Sequence, residues 1–131
     1  MKEVYEFLKN CQVFYLATID KDKPRVRPFG ALNIFEDKIY LQTGKIKKVS
    51  KQIEINPNIE ICGMFNNKWI RVEGKLVRDE RIEAKKSMLD NNPELKNMYK
   101  ADDDNTEVLY IEKAKATIYS FTEDSKVIEF Q

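Results

Sequence analysis

The chain has no histidine and only two cysteines among its 131 residues. The lack of histidine excludes Ser-His-Asp and Cys-His catalysis and a histidine general base, and it removes most zinc sites. Cys11 and Cys62 are too few for a structural zinc site or an iron–sulfur cluster, and their apolar surroundings favour buried free thiols over a disulfide. We expect no metal site, and we expect any redox or group-transfer chemistry to need a bound cofactor.

A strong net charge and long apolar runs are also missing. The 23 basic and 22 acidic residues give a net charge of +1, which argues against a general nucleic-acid binder. No apolar run approaches the roughly 18 residues that a membrane span needs, and the first residues lack the features of a signal peptide. We therefore expect a cytoplasmic protein that contacts neither nucleic acid nor membrane and folds as one domain over residues 1–131.

The hydrophobic pattern predicts mostly strands with a few inserted helices. Apolar residues at helical spacing predict a helix over 3–11 and another between Gly44 and Asn56-Pro57. Pro28 lies inside the predicted second strand and indicates an edge or a bulge there. Alternation predicts strands at 13–20, 25–35 and 38–43 as a meander, then at 58–65, 69–77, 106–113, 114–121 and 125–130, with helices at 79–90 and from Asn92 onward. Such a series indicates a closed or partly closed antiparallel barrel.

Positive charge is gathered at two places in this nearly neutral chain, and the first is QTGKIKKVSKQ at 42–52. Lys45, Lys47 and Lys48 lie in the predicted first turn of a helix, where cations oppose the helix dipole. A bound anion would offset this conflict, because unpaired N–H groups at a helix start already attract anions. The alternative is a solvated lysine face without a ligand.

The second basic stretch is PRVRPFG at 24–30, where Arg25 and Arg27 share one face of a strand. The alternative to a ligand between them is cross-strand pairing with acids such as Glu60 or Glu73. Pro28 is predicted to free the backbone around 26–29, which could then bond the edge of a planar heterocycle. Together the two stretches predict a phosphorylated cofactor, and neither a Walker sequence nor a dinucleotide fingerprint is present.

Three stretches in order, ATIDKDKPRVRPFG, KIYLQTGKIKKVSKQIEINPNIEICG and WIRVEGKLV, resemble the flavin-binding split barrels related to pyridoxamine 5′-phosphate oxidase. The resemblance runs from about Val13 to Val77 and continues more weakly to the C-terminus. It implies a mostly β fold of the α+β class, a six-stranded antiparallel split β-barrel with flanking helices. It also implies a homodimer with FMN bound at the subunit interface.

The resemblance also implies the cofactor-binding residues by their position. Trp69 stands where the true oxidase has a flavin-contacting glutamine; it would reach the ring from the partner subunit or serve as an interface aromatic. Ile46 replaces a serine of the family in a loop shorter by one residue, so Lys45 becomes a further candidate for phosphate contact. The ring and ribityl chain would follow Arg25, Val26, Arg27 and Pro28, with Gln42 and Thr43 at a strand end and Lys47 and Lys48 at the phosphate.

The activity that the resemblance implies is an FMN-dependent oxidoreductase of unassigned substrate, with a reduced nicotinamide nucleotide as a candidate electron donor. FMN would supply the hydride or electron transfer, and Arg25 or Arg27 would stabilise the anionic reduced ring. The C-terminal Trp and Arg segment with which the true oxidase holds its substrate has no match here, so we do not expect pyridoxamine phosphate oxidation. The alternatives are a flavin carrier or sensor without turnover, and a binder of another anionic cofactor such as haem or a deazaflavin.

Overall fold

The computed structural model describes all residues from Met1 to Gln131. None of its helices is both long enough and apolar enough to cross a lipid bilayer. A 3₁₀ helix at Pro93–Asn97 follows the last α-helix. The other elements, in chain order, are α1 (Lys2–Cys11), β1 (Phe14–Asp20), β2 (Lys23–Phe29), β3 (Leu32–Phe35), β4 (Lys38–Gly44), α2 (Lys48–Ile55), β5 (Asn58–Phe65), β6 (Lys68–Asp79), α3 (Ile82–Asn91), β7 (Thr106–Ser120) and β8 (Lys126–Phe130).

The eight strands form one antiparallel sheet in the order β2-β1-β5-β6-β7-β4-β3, with β8 added to β7. β2 and β3 lie at opposite ends of this order, yet only Gly30 and Ala31 separate them in the chain. Three successive Cα–Cα steps span at most about 11 Å, so the sheet must curl until its two edges approach each other. The edges come together without pairing, which is the arrangement of a split barrel.

The fold class is confirmed as mostly antiparallel β with flanking helices, but the strand count and two connections differ from the prediction. The sheet has eight strands instead of six. The strand predicted over 25–35 is two strands that do not pair with each other, so the predicted meander is wrong. The strands predicted at 106–113 and 114–121 are one strand, β7, whose pairing with β6 shifts register between Glu73 and Lys75, near Lys113 with its φ of 51°.

Pro28 lies on an edge strand, as predicted, because β2 ends the sheet. The bulge alternative is wrong, since β2 pairs with β1 in continuous register from Lys23 to Phe29. A proline in an edge strand can leave the pairing intact when its missing N–H would have pointed outward. The free backbone of β2 is therefore limited to its outer edge.

The interior of the barrel is apolar, and α1 closes one end of it. Val4 and Leu8 of α1 are fully buried and pack into the same cluster as the inward side chains of the strands. Their four-residue spacing places both on one face of the helix. Burying each such side chain contributes about 1.5–3 kcal/mol. The inward strand residues include Phe14, Leu16, Leu41, Ile61, Val72 and Ile111.

The cysteines do not follow the prediction of two buried thiols. Both are free, Cys11 is partly exposed and Cys62 is exposed. Cys62 lies on the outer face of β5, between Ile61 and Gly63, which face inward. The strand assignment was right, but alternation along β5 places this position outside the barrel. Burial raises the pKa of the Cys11 thiol, with a smaller contribution from Cys62.

A polar network fixes α3 against the outer face of β4 and β7. Tyr40 Oη donates a 2.8 Å hydrogen bond to Asp79 Oδ2, and the backbone and guanidinium N–H groups of Arg81 donate to the same carboxylate. Asp79 is buried. Hydrogen bonds from the Arg81 guanidinium lower the pKa of the Asp79 carboxyl from 3.8 to about 2, although burial acts in the opposite direction. Through this network the start of α3, and with it the 3₁₀ helix that follows, is tied to the sheet.

We expect the Asp79 network to contribute stability that acid removes. The pKa of Asp79 is lower in the folded chain, so its contribution is complete above about pH 4 and is lost as the pH falls toward about 2. Asp79→Asn should lower the free energy of unfolding at neutral pH by about 1–3 kcal/mol and should flatten this acid dependence. Urea denaturation across that pH range measures both effects.

Asp90→Asn is the matched control, because Asp90 forms an exposed pair with Lys96 at 3.1 Å. Its change should stay below about 0.5 kcal/mol. Equal effects of the two substitutions would contradict the role given to the Asp79 network.

Candidate functional site

A cleft of about 230 Å³ opens where the two edges of the sheet approach each other. Its walls come from four parts of the chain that the split barrel brings together: the end of β2 with its linker, the end of β4, the start of α2, and the segment around the 3₁₀ helix. The lining residues are Arg27, Pro28, Phe29, Gly30, Ala31, Gln42, Thr43, Lys47, Val49, Leu95, Met98 and Tyr99.

The end of β4 presents unpaired backbone to this cleft. The ladder between β3 and β4 begins at Leu32 opposite Leu41, because the chain must first cross from β2 through Gly30-Ala31. β4 continues to Gly44 without a β3 residue opposite, while its other side stays paired with β7. One backbone edge at Gln42 and Thr43 is therefore available to a ligand.

Gln42 carries the clearest sign of a ligand in the cleft. Its side chain is buried, with the residue 6% exposed, and neither its amide oxygen nor its amide nitrogen has a hydrogen-bond partner. Leaving a buried polar group unpaired costs about 1–3 kcal/mol. The other buried side chain without a hydrogen bond, Glu107, has an ion-pair partner in Arg78 at 2.5 Å. Gln42 is therefore the only residue whose fully enclosed side-chain polar atoms have neither a hydrogen bond nor an ion pair, and its amide offers both a donor and an acceptor.

Arg27 is a half-buried cation held only by neutral acceptors. Its guanidinium donates to Thr18 Oγ1 at 2.7 Å, to the Leu16 carbonyl at 3.3 Å and to Gln52 Oε1 at 2.7 Å. Thr18 Oγ1 also donates to Gln52 Oε1 at 2.6 Å, which fixes the three groups together. Burial lowers the pKa of Arg27, and the neighbouring charge of Arg25 adds to this. A cation fixed without a counter-ion at the wall of a cleft favours an anionic ligand.

The acid partners considered for the two arginines are not the ones observed. Arg25 forms an exposed ion pair with Asp20 at 3.2 Å. Glu60 instead pairs with Arg71 at 2.7 Å, so the proposed cross-strand pairing of Arg25 and Arg27 with Glu60 or Glu73 is wrong.

The start of α2 divides the predicted group of lysines. The helix begins at Lys48 with Lys47 as its N-cap, so Lys45 lies before the helix and pairs with Glu80 at 3.0 Å. No acidic residue lies in the first turn, and neither Lys47 nor Lys48 forms an ion pair. Lys47 lines the cleft, whereas Lys48 lines a separate cleft of about 320 Å³ that includes Ile19, Asp20, Lys21 and Lys51.

The predicted site residues thus separate into two groups. Val26 is 68% exposed on the outer face of the sheet. Trp69 lies at the start of β6 and stacks on Tyr119, with 5.2 Å between the ring centroids, and its ring centroid lies 5.0 Å from that of Phe121. The structure brings Arg27, Pro28, Gln42, Thr43 and Lys47 to one cleft and leaves Arg25, Val26, Lys48 and Trp69 outside it.

Sequence reasoning did not assign the other residues of the cleft, among them Leu95, Met98 and Tyr99. These three fall in the helix predicted from Asn92 onward, and the 3₁₀ helix at Pro93–Asn97 is the start of that segment. Their spacing carries no information on which distant residues they face. The exposure of Met98, at 74%, identifies it as part of the cleft mouth.

The cleft is lined by two cations, an unsatisfied amide and several apolar side chains. Its lining contains no aspartate, glutamate, histidine or cysteine. The arrangement can bind an elongated ligand with an anionic end and a flat apolar part that has polar edges. It offers no carboxylate, imidazole or thiol as a general base.

We expect Gln42→Leu to stabilise the ligand-free protein by about 1 kcal/mol, because it replaces a buried amide that has no partner. Asn33 provides the control, since this buried amide donates to Ser87 Oγ at 2.9 Å and accepts from Asn91 at 2.6 Å. Asn33→Leu should destabilise by about 1–3 kcal/mol. Urea denaturation without added ligand distinguishes the two, and an equal loss for both variants would contradict our account of Gln42.

Comparison with known proteins shows which family this architecture represents. Residues 1–119 match the family model described as pyridoxamine 5′-phosphate oxidase. The crystal structure of a NimC/NimA family protein from Clostridium acetobutylicum is 46% identical to the chain, with a TM-score of 0.97, and the match covers 99% of this chain and 92% of that one. No curated protein matches the chain in sequence.

Two more distant structures share the fold alone. A pyridoxamine 5′-phosphate oxidase-related, FMN-binding protein from Nostoc punctiforme is 16% identical with a TM-score of 0.65, covering 97% of this chain and 91% of that one. A haem-binding protein from Mycobacterium smegmatis is 13% identical with a TM-score of 0.73, covering 95% of this chain and 57% of that one. The match over residues 1–119 and the 46% identical relative establish that the chain belongs to the pyridoxamine 5′-phosphate oxidase family.

Proposed function

We propose that this protein binds FMN in the split-barrel cleft and acts as an FMN-dependent oxidoreductase. The observation that carries the proposal is the unpaired, buried amide of Gln42 in the same cleft as the uncompensated cations Arg27 and Lys47. A flavin mononucleotide combines the features that these groups select, an anionic phosphate and a planar ring with donors and acceptors on its edge. Membership of a family that includes an FMN-binding protein supports the choice of cofactor.

The phosphate would be held at the start of α2. Lys47 supplies a positive charge, and the first turn of the helix supplies unpaired N–H groups and the positive end of its dipole. Arg27 adds a fixed second cation to the wall of the same cleft. Lys48, which faces the neighbouring cleft, would contribute less than the resemblance implied.

The flat ring would lie where the cleft offers apolar surface and free polar groups. Pro28 and Phe29 of β2 provide the apolar surface on one side, and Gln42 with the open backbone edge of β4 provides a donor and acceptors. FMN would supply the electron or hydride transfer, and the residues of this chain would bind and orient it. No carboxylate, imidazole or thiol lines the cleft, so we expect substrate protons to come from water.

We further propose that the active form is a homodimer. A cleft of about 230 Å³ is smaller than the roughly 300 Å³ at which ligand pockets begin, so one chain leaves much of the flavin uncovered. The outer face of the sheet carries several exposed apolar side chains, and such patches are typical of an interface. Trp69 lies on this face and stays a predicted contribution from the partner subunit. Other exposed apolar residues on or beside this face are Tyr15, Val26, Met64 and Phe121.

The first test is the binding and turnover of flavin. The purified protein, with FMN added, should show the two-band flavin spectrum after gel filtration. Anaerobic addition of NADH or NADPH should then bleach it, and air should restore it. Reduction by dithionite alone would favour a carrier without turnover. Absence of any FMN binding would contradict the proposal, and a haem spectrum on reconstitution would identify the other cofactor known for this fold.

We expect Lys47→Ala to weaken FMN binding by about tenfold or more and to leave riboflavin binding nearly unchanged. Only FMN carries the phosphate, and a charged hydrogen bond contributes about 1.5–3 kcal/mol. Lys48→Ala should have the smaller effect, and Lys23→Ala, an exposed lysine at the start of β2, should have none. Fluorescence titration with both flavins measures the difference. Equal losses for FMN and riboflavin would place the phosphate elsewhere.

Val26→Lys should reduce both dimerisation and FMN affinity, because it introduces a charge into the proposed apolar interface. Ile55→Lys is the control, since Ile55 is highly exposed at the end of α2 and lies outside the sheet. Light scattering of the FMN-loaded protein gives the mass of each variant. A wild-type chain that is monomeric with FMN bound would contradict the dimer.

A further inference from the structure

The loop that carries Lys47 into the cleft is held in shape by a second loop, residues 98–106. We propose that Asn105 in this second loop is a positioning residue that sets the preference of the site for a phosphorylated flavin. This inference rests on the proposed function, because it concerns how the same cleft recognises the phosphate. Asn105 does not line the cleft itself, so it would act through the turn between β4 and α2.

Asn105 bonds two successive backbone groups of that turn. The N–H of Lys45 donates to the Asn105 carbonyl at 2.8 Å, and the N–H of Ile46 donates to Asn105 Oδ1 at 3.2 Å. The next N–H, that of Lys47, donates to the Gly44 carbonyl at 3.0 Å. Every N–H from position 45 to the N-cap of α2 is therefore fixed, and two of the three are fixed by one residue.

Asn105 is itself immobilised by Asp103. Asp103 Oδ1 accepts the N–H groups of Asn105 at 2.9 Å and Thr106 at 2.7 Å, and its Oδ2 accepts the N–H of Lys100 at 3.0 Å. Burial opposes ionisation of this carboxyl, but these backbone bonds outweigh it and hold the pKa of Asp103 well below its ordinary value. The aspartates of this loop do not form a metal-ligating group. Asp103 serves instead as the internal anchor of the loop.

Gly44 allows the two loops to approach this closely. A Cβ at this position would lie 3.0 Å from Asn105 Nδ2, 3.2 Å from Asn105 Oδ1 and 3.3 Å from the Tyr99 hydroxyl. The φ of Gly44 is not positive, so an alanine fits the backbone and meets only these side chains. Gly44→Ala should therefore act on the turn by displacing Asn105, which makes it an independent perturbation of the same contact.

Segment 98–106 also contributes side chains directly to the cleft lining. Met98 and Tyr99 line the cleft wall, and Asn105 holds the turn before Lys47. One short segment thus shapes both the apolar side of the cleft and its cationic side. The structure gives this segment a function in cofactor choice, which its polar sequence did not suggest.

The test compares FMN with riboflavin in four variants of the full chain. Asn105→Ala should weaken FMN binding by about three- to tenfold, the value of one hydrogen bond, with riboflavin changed less than about twofold. Gly44→Ala should act in the same direction. The double variant should lose less than the product of the two single effects, because both act on one contact. Asn10→Ala, an exposed position on α1, should change neither affinity.

The outcomes separate this inference from the function on which it rests. Equal weakening of FMN and riboflavin, unchanged FMN affinity, or multiplicative effects in the double variant would overturn the positioning role while FMN binding by the wild type stands. A wild type that binds neither flavin would contradict the proposed function and this inference with it. Urea denaturation of each variant identifies a general loss of structure, which would lower both affinities together.

Discussion

The two-residue connection between β2 and β3 is the constraint on which the rest of the structure depends. Gly30 and Ala31 join strands that lie at opposite ends of the sheet, so the sheet must curl until its edges approach. Because of this crossing, β3 begins only at Leu32, and the end of β4 has no partner strand on that side. The split in the barrel, the open backbone edge and the cleft between them therefore have one cause.

Charge pairing explains why the cleft favours an anionic ligand although the chain has a net charge of only +1. Most of the structurally fixed cations have carboxylate partners, including Arg25, Arg71, Arg78 and Arg81. Arg27 has three neutral acceptors instead, and Lys47 has no partner. Local imbalance, rather than total charge, produces the attraction. A bound phosphate would offset the cost of fixing these cations without counter-ions.

The sequence pattern predicted correctly those features that depend on interactions between residues close together in the chain. The helix over 3–11, the strands around 58–65 and 69–77 and the family resemblance all came from spacing that a few neighbouring residues fix. The order of the strands could not be predicted in this way, because strand pairing depends on residues far apart in the chain. For the same reason the two strands within 25–35 were predicted as a single strand. Lys47 and Lys48 line different clefts because the side chains of successive residues at a helix start point about 100° apart. The roles of Gln52 beneath Arg27 and Asn105 beside Ile46 depend on contacts across 25 and 59 residues, which no single-sequence pattern encodes.

The central claim is that one cleft holds FMN through Gln42, Arg27 and Lys47. A crystal structure of the protein with FMN bound tests it most directly. Our account predicts the phosphate beside Lys47 at the start of α2 and the ring edge within hydrogen-bonding distance of the Gln42 amide. FMN bound in the neighbouring cleft beside Lys48, or bound with the Gln42 amide still unpaired, would contradict it.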